Sequence, residues 1–149
     1  MPFCTGNPFL IFCLFFGCLG AGGCGSIATH ELPSPTEADL LKIGGAYARA
    51  TAKLGRPPTN RKELIPFLDP KLPASQIFRS PNDGEDFEIV WGVELRELKA
   101  QGNDVPIVAY EKRGKEGKRY VLRGRSEALV MSEGELKSAV FPAGYKFPF

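Results

Sequence analysis

The chain has 149 residues, with 19 lysines and arginines against 17 aspartates and glutamates, which leaves room for one domain and a targeting segment. Charge this balanced gives no support to an acidic tail or to a nucleic-acid partner. All four cysteines, Cys4, Cys13, Cys18 and Cys24, fall in the first 24 positions, so the body of the chain has no thiols for a disulfide framework, a zinc site or a nucleophile.

From Phe9 to Leu19 the chain is apolar and uncharged. That length suits the core of a signal peptide, about 7 to 15 residues, and falls short of the roughly 20 apolar residues a membrane-spanning helix needs. Gly20, Ala21, Gly22 and Gly23 then offer an open backbone to a peptidase, immediately before Cys24, Gly25 and Ser26. The segment resembles a bacterial lipoprotein signal. That resemblance implies cleavage before Cys24 and a diacylglyceryl group on its sulfur, with the lipid tail (palmitate among its acyl chains) seated in a membrane. At about 0.8 kcal/mol per buried methylene, two or three acyl chains would anchor the protein almost permanently. The bland alternative is an ordinary cleaved signal and a soluble secreted protein. Residues 1–23 are therefore expected to be signal, 24–35 a lipidated cysteine with its linker, and 36–149 one domain.

His30 sits in the linker as the only histidine, and without a second ligand or base nearby it reads as solvated. Ser34, Pro35 and Glu37 form a helix start with a capping box. Leu40, Ile43, Tyr47, Ala50 and Leu54 then recur at spacings of three and four, one apolar stripe. Gly44 and Gly45 interrupt this helix at a cost of about 1 kcal/mol each relative to alanine, which points to another element packed close against it. Gly55 and Pro57-Pro58 end it. Asn60 with Glu63 predicts a second capping box and a short helix carrying Leu64, Ile65, Phe67 and Leu68, stopped at Asp69-Pro70. An irregular stretch to Ser80 follows.

From Asp86 the period becomes two: Phe87, Ile89 and Trp91 are expected on one strand face. Val105–Glu111, Arg119–Arg123 and Ala128–Met131 read as three further strands, with hairpin turns at Gly114–Gly117 and Gly124-Arg125. Ser132 and Glu135 predict a last capped helix. The fold class is therefore α+β: a long N-terminal helix on a small antiparallel sheet of about four strands, with a short C-terminal helix.

Three stretches carry a second resemblance. They are the helix 36–54, the Pro57-Pro58-Thr59 connection into Glu63-Leu64, and Ser80-Pro81-Asn82-Asp83-Gly84-Glu85-Asp86-Phe87 entering the first strand, with Gly117–Leu122 as a Tyr-containing strand after a glycine. The body resembles the globular heads of type II secretion pseudopilins and type IV pilins, and is similar to small bacterial lipoproteins of unassigned function. Pilins carry a glutamate inside the apolar helix five residues into the mature chain, and this sequence has none. The resemblance thus implies the head without the filament-forming segment.

Candidate chemistry is sparse. Asn82, Asp83, Glu85 and Asp86 gather oxygen atoms around Gly84 as weak calcium ligands, with Asn-Asp-Gly turn chemistry as the bland alternative. Lys112, Arg113, Lys115, Lys118, Arg119, Arg123 and Arg125 form the most biased patch. These are possible contacts to an anionic surface, set against solvated lysines and arginines that blunt an edge strand. No nucleophile elbow, phosphate loop or histidine-rich motif is present, so catalytic residues, metal and cofactor are all expected to be none. Trp91 and the aromatic tail Phe141, Tyr145, Phe147 and Phe149 offer core packing or a docking surface. The leading expectation is a non-enzymatic, membrane-tethered envelope protein, held through Cys24 and binding another envelope protein. Gly25 after the cysteine, where an Asp would favour inner-membrane retention, leans towards the outer membrane. A pseudopilin-like subunit and a small wall-polymer hydrolase are the alternatives.

Overall fold

Ser34 opens the folded domain. Its hydroxyl accepts the Glu37 amide at 3.2 Å while the Glu37 carboxylate accepts the Ser34 amide at 2.7 Å, the reciprocal cap expected from the sequence. The computed structural model describes residues 32–95, 105–142 and 145–148; Cys24, His30, Phe149 and the apolar run 9–19 lie outside the described residues. Helix α1, Pro35–Leu54, follows the cap and ends at Gly55, whose φ of 72° suits glycine. Leu40, Ile43, Ala46, Tyr47 and Ala50 are fully buried along one face. Leu54, placed on that stripe by spacing alone, is 41% exposed, because the helix is exposed from Ala52 onward.

Two short helices cross over to the sheet. Helix α2, Arg61–Leu64, runs into a 3-10 turn at Ile65–Phe67. The predicted box is only half formed. Asn60 accepts the Glu63 amide at 3.2 Å, but the Glu63 carboxylate goes to Arg56 and Thr59 instead. Helix α3, Ala74–Ile77, lies in the stretch read as irregular, and it delivers Ile77 and Phe78 to the core.

Strands β1 (Glu88–Ile89), β2 (Ile107–Tyr110), β3 (Lys118–Arg123) and β4 (Glu127–Ser132) form one antiparallel sheet in chain order. Helix α4, Glu133–Ser138, leaves β4 through the Ser132–Glu135 capping box. The architecture is α+β as expected. One correction concerns β1. The alternation through Trp91 fails because β1 stops at Ile89, Val90 is fully buried, and the chain turns at Gly92 with φ 78°. Trp91 is half-buried against the core.

The sheet is covered on both faces. Ala109, Leu122 and Ala128 lie in register, and a Cβ on Gly44 would sit 3.1 Å from Leu122 and 2.3 Å from the Arg125 carbonyl oxygen. That row therefore faces α1, and Gly44 is the glycine that lets the backbones meet. Gly45 meets only the end of Arg49, at 3.3 Å. Tyr110, Val121 and Leu129 form the next row, which alternation turns to the other face. There the aromatic tail closes over Tyr110. Phe147 lies 4.9 Å from its ring, Phe141 stacks on Tyr145 at 5.3 Å, and the Tyr110 and Tyr145 hydroxyls are 2.7 Å apart. The described part of the tail is thus sheet covering, half-buried at Phe141, Tyr145 and Phe147.

Candidate functional site

The β2–β3 hairpin brings together most of the polar residues singled out from the sequence. Lys115 and Lys118 pair across a two-residue loop, Glu116 and Gly117, whose φ values are 54° and 72°. Both are left-handed, the geometry that matches the twist of the flanking strands. The 80–86 loop is fastened to the base of this hairpin by two carboxylates. Asp83 accepts the backbone amides of Arg113 at 3.1 Å and Gly114 at 2.8 Å. Glu111, fully buried, accepts the Ser80 hydroxyl, the Asn82 amide group at 3.1 Å and the Tyr120 backbone amide at 2.8 Å. A buried carboxylate costs free energy unless its oxygens are satisfied, and three donors do that here.

This disperses the calcium candidates. Asn82 is turned to Glu111 and Asp83 to the hairpin amides. Glu85 lies 3.4 Å from Arg113, and Asp86 pairs with Arg61 at 2.9 Å, whose guanidinium sits 4.4 Å over the Phe78 ring. All four side chains are engaged by protein groups rather than turned to one point. Among the described residues, no group of three or more His, Cys, Asp or Glu side chains is arranged to hold a metal ion.

The basic candidates divide into two groups. Lys112, Arg113, Lys115, Lys118 and Arg119 cluster at the hairpin, where Arg119 donates to the Lys112 carbonyl at 2.7 Å. Arg123 and Arg125 lie at the opposite end of β3, about 17 Å away at roughly 3.3 Å per residue. There Arg123 holds Glu127 through two nitrogens, which raises the pKa of the guanidinium and lowers that of the carboxyl.

Sequence reasoning missed Glu111, because its partners Ser80 and Asn82 are 31 and 29 residues away. It also missed the role of Tyr47. Its buried hydroxyl accepts the Val93 amide at 2.8 Å and reaches the Val90 carbonyl at 3.4 Å, and burial pushes its pKa up to about 12. Alternating α1 spacing predicted its burial but not its polar partners.

Shallow clefts surround these elements. One, of about 590 Å³, has Ala48, Thr51, Ala52, Val105, Gly124 and Arg125 in its walls. A second, about 340 Å³, lies beside Trp91, Arg61, Asp86 and Glu88. Glu127 in the first is held by Arg123, and Asp86 in the second by Arg61, so neither cleft presents a facing pair of unengaged carboxylates of the kind acid–base catalysis uses. No protein-family model, curated protein or solved structure matches the chain. Among the described residues, no helix is long and apolar enough to cross a membrane.

Proposed function

We propose that this chain is a lipid-anchored protein of the bacterial cell envelope, non-enzymatic, whose α+β domain serves protein interaction or envelope and secretion assembly. The observation that carries the reading is Cys24, preceded by Gly22-Gly23 and an uncharged apolar run of signal length. It is supported by the position of the first helix cap among the described residues, Ser34. That cap leaves nine residues between Cys24 and Ser34, a chain length of at most about 35 Å. Mass spectrometry of the mature protein from cells tests the anchor: acyl chains on an N-terminal Cys24 are expected, with loss of membrane fractionation in Cys24→Ser. An unacylated, soluble mature protein would overturn it.

The helix-then-meander order favours one second reading, a pseudopilin-like subunit of a secretion or pilus machine. Recovery of the protein in sheared surface fibres, or its processing by a prepilin peptidase, is what that reading requires.

A further inference from the structure

We infer that the outer edge of β4 is the contact through which two copies of this chain associate, strand against strand and antiparallel, about a two-fold axis at Leu129. The inference goes beyond the anchored reading above and does not depend on it.

Among the described strands, none lies beyond β4 in the sheet. Which of its backbone groups face outward follows from its pairing with β3. The Glu133 amide donates to the Gly117 carbonyl at 3.3 Å, one step past the Lys118–Ser132 pair of the register. Antiparallel ladders alternate, so Leu129 and Met131 also turn their backbone groups to β3, while Ala128, Val130 and Ser132 turn theirs outward. Tyr120, opposite Val130, agrees: its amide and carbonyl go to Glu111 on the other side of β3. The Ser132 amide is taken by the Glu135 carboxylate at 2.7 Å. The amides and carbonyls of Ala128 and Val130 have no partner among the described residues.

The devices that usually blunt an exposed edge are missing from this strand. It has no proline, lysine or arginine, and it pairs with β3 without a bulge. Its one charged side chain, Glu127, is held by Arg123. Ala128, Leu129, Val130 and Met131 run consecutively, none of them buried, and Val130 is 44% exposed. The opposite edge, β1, is only two residues long.

The register singles out a second copy as the occupant. About an axis at Leu129, Ala128 of each copy stands opposite Val130 of the other, and every outward amide and carbonyl of these two residues finds its complement. No like charges meet. Leu129 meets its counterpart, Glu127 faces Met131 and, counted on past the strand ends, Arg125 faces Glu133. Arg125 is exposed and belongs to no ion pair among the described residues, while Glu133 has Lys137 at 3.4 Å. An opposite-charge pair therefore flanks the contact on each side. The association closes on itself, because both β4 edges are consumed and the joined sheet ends at a short β1 on either side.

The test uses the full chain with Cys4→Ser, Cys13→Ser, Cys18→Ser and Cys24→Ser, in mild detergent, so that one introduced cysteine is the only thiol. In Leu129→Cys the two thiols occupy a non-hydrogen-bonded pair, whose Cα separation of about 4.5 Å lies within the span of a disulfide. In Glu127→Cys they are four residues out of register, about 13 Å apart at 3.3 Å per residue, which is too far. Mild oxidation should yield about five-fold or more disulfide dimer at 129 than at 127. Mixing Glu127→Cys with Met131→Cys should restore the cross-link. Added to Leu129→Cys, Val130→Lys should abolish the dimer by charging the edge, and Val130→Pro should do so by deleting an amide that β3 does not use. Urea unfolding followed through Trp91 checks that both variants fold, and Val130→Lys decides if the proline variant does not. Monomer at 129, equal yields at 127 and 129, or a dimer indifferent to Val130→Lys would overturn the inference. Monomer at 129 is also what an edge reserved for an extended segment of another protein would give.

Discussion

Replacing Gly44 by alanine is expected to destabilise the domain by about 1–2 kcal/mol, although position 44 is mid-helix, where alanine ordinarily gains about 1 kcal/mol over glycine. The added methyl would stand 2.3 Å from the Arg125 carbonyl oxygen and 3.1 Å from a Leu122 methyl. Real Cβ atoms essentially never come within 3.0 Å of a neighbour, so the β3–β4 turn must move away from α1. Overpacking of that kind costs about 1–3 kcal/mol, which exceeds the gain in helix propensity. The adjacent glycine is the internal control. At Gly45 the nearest atom is the end of the Arg49 side chain at 3.3 Å, so Gly45→Ala should be stabilising by up to about 1 kcal/mol. Urea unfolding followed through Trp91, the only tryptophan, measures both with the slope held in common. Two adjacent substitutions of the same chemistry should move the midpoint in opposite directions. A stabilising Gly44→Ala, or equal losses at both positions, would refute the packing argument.

Three other outcomes follow from the polar contacts. Tyr47→Phe removes the acceptor of the Val93 amide and should cost about 1–3 kcal/mol in the same unfolding assay. Because the Tyr47 pKa rises from 10.0 to about 12 in the fold, its contribution is complete below pH 10 and is lost as pH climbs towards 12, and Tyr47→Phe should flatten that alkaline decline. The Glu63 carboxyl is held at about 2, against 4.5, chiefly by its hydrogen bonds to Arg56 and then by the Thr59 amide. Its contribution is present above pH 4.5 and is lost as pH falls towards 2, and an acid titration of Glu63→Gln should lack that step. Glu111→Ala strands the Ser80, Asn82 and Tyr120 donors and should cost about 3 kcal/mol. Combined with Asp83→Ala it should show a coupling of at least about 0.5 kcal/mol, since both carboxylates hold one loop to one hairpin.

What the sequence discloses and what it hides divide along chain separation. The boxes at Ser34–Glu37 and Ser132–Glu135 are written within four residues, and both form as read. Glu63 carries the same local pattern, yet its carboxylate is taken by Arg56, seven residues back, through two bonds at 3.0 and 2.9 Å. A charged partner with matched geometry outcompetes a neutral amide. The Phe87–Trp91 alternation is a true local period, but the Gly92 turn, whose amide donates to the Pro58 carbonyl at 3.1 Å, ends the strand first. Helix α3 has no side-chain cap, and so nothing in the sequence marks it. In the candidate site, the hairpin was legible because Gly114 and Gly117 are local turn residues. Asp83 and Glu111 were not, because each takes donors brought across from another element.

The aromatic cover on Tyr110 also sets an order in time. Phe141, Tyr145 and Phe147 follow the four described strands along the chain, while β2, β3 and β4 are joined by short connections and pair with one another without the tail. Strands β2 to β4 can therefore assemble, as local contacts do quickly, while the row of Tyr110, Val121 and Leu129 still faces water. Between that moment and the arrival of the tail, the nascent domain presents an apolar sheet face to its neighbours. A chain stopped short of Phe141 would hold that state permanently, and its hazard is self-association rather than unfolding.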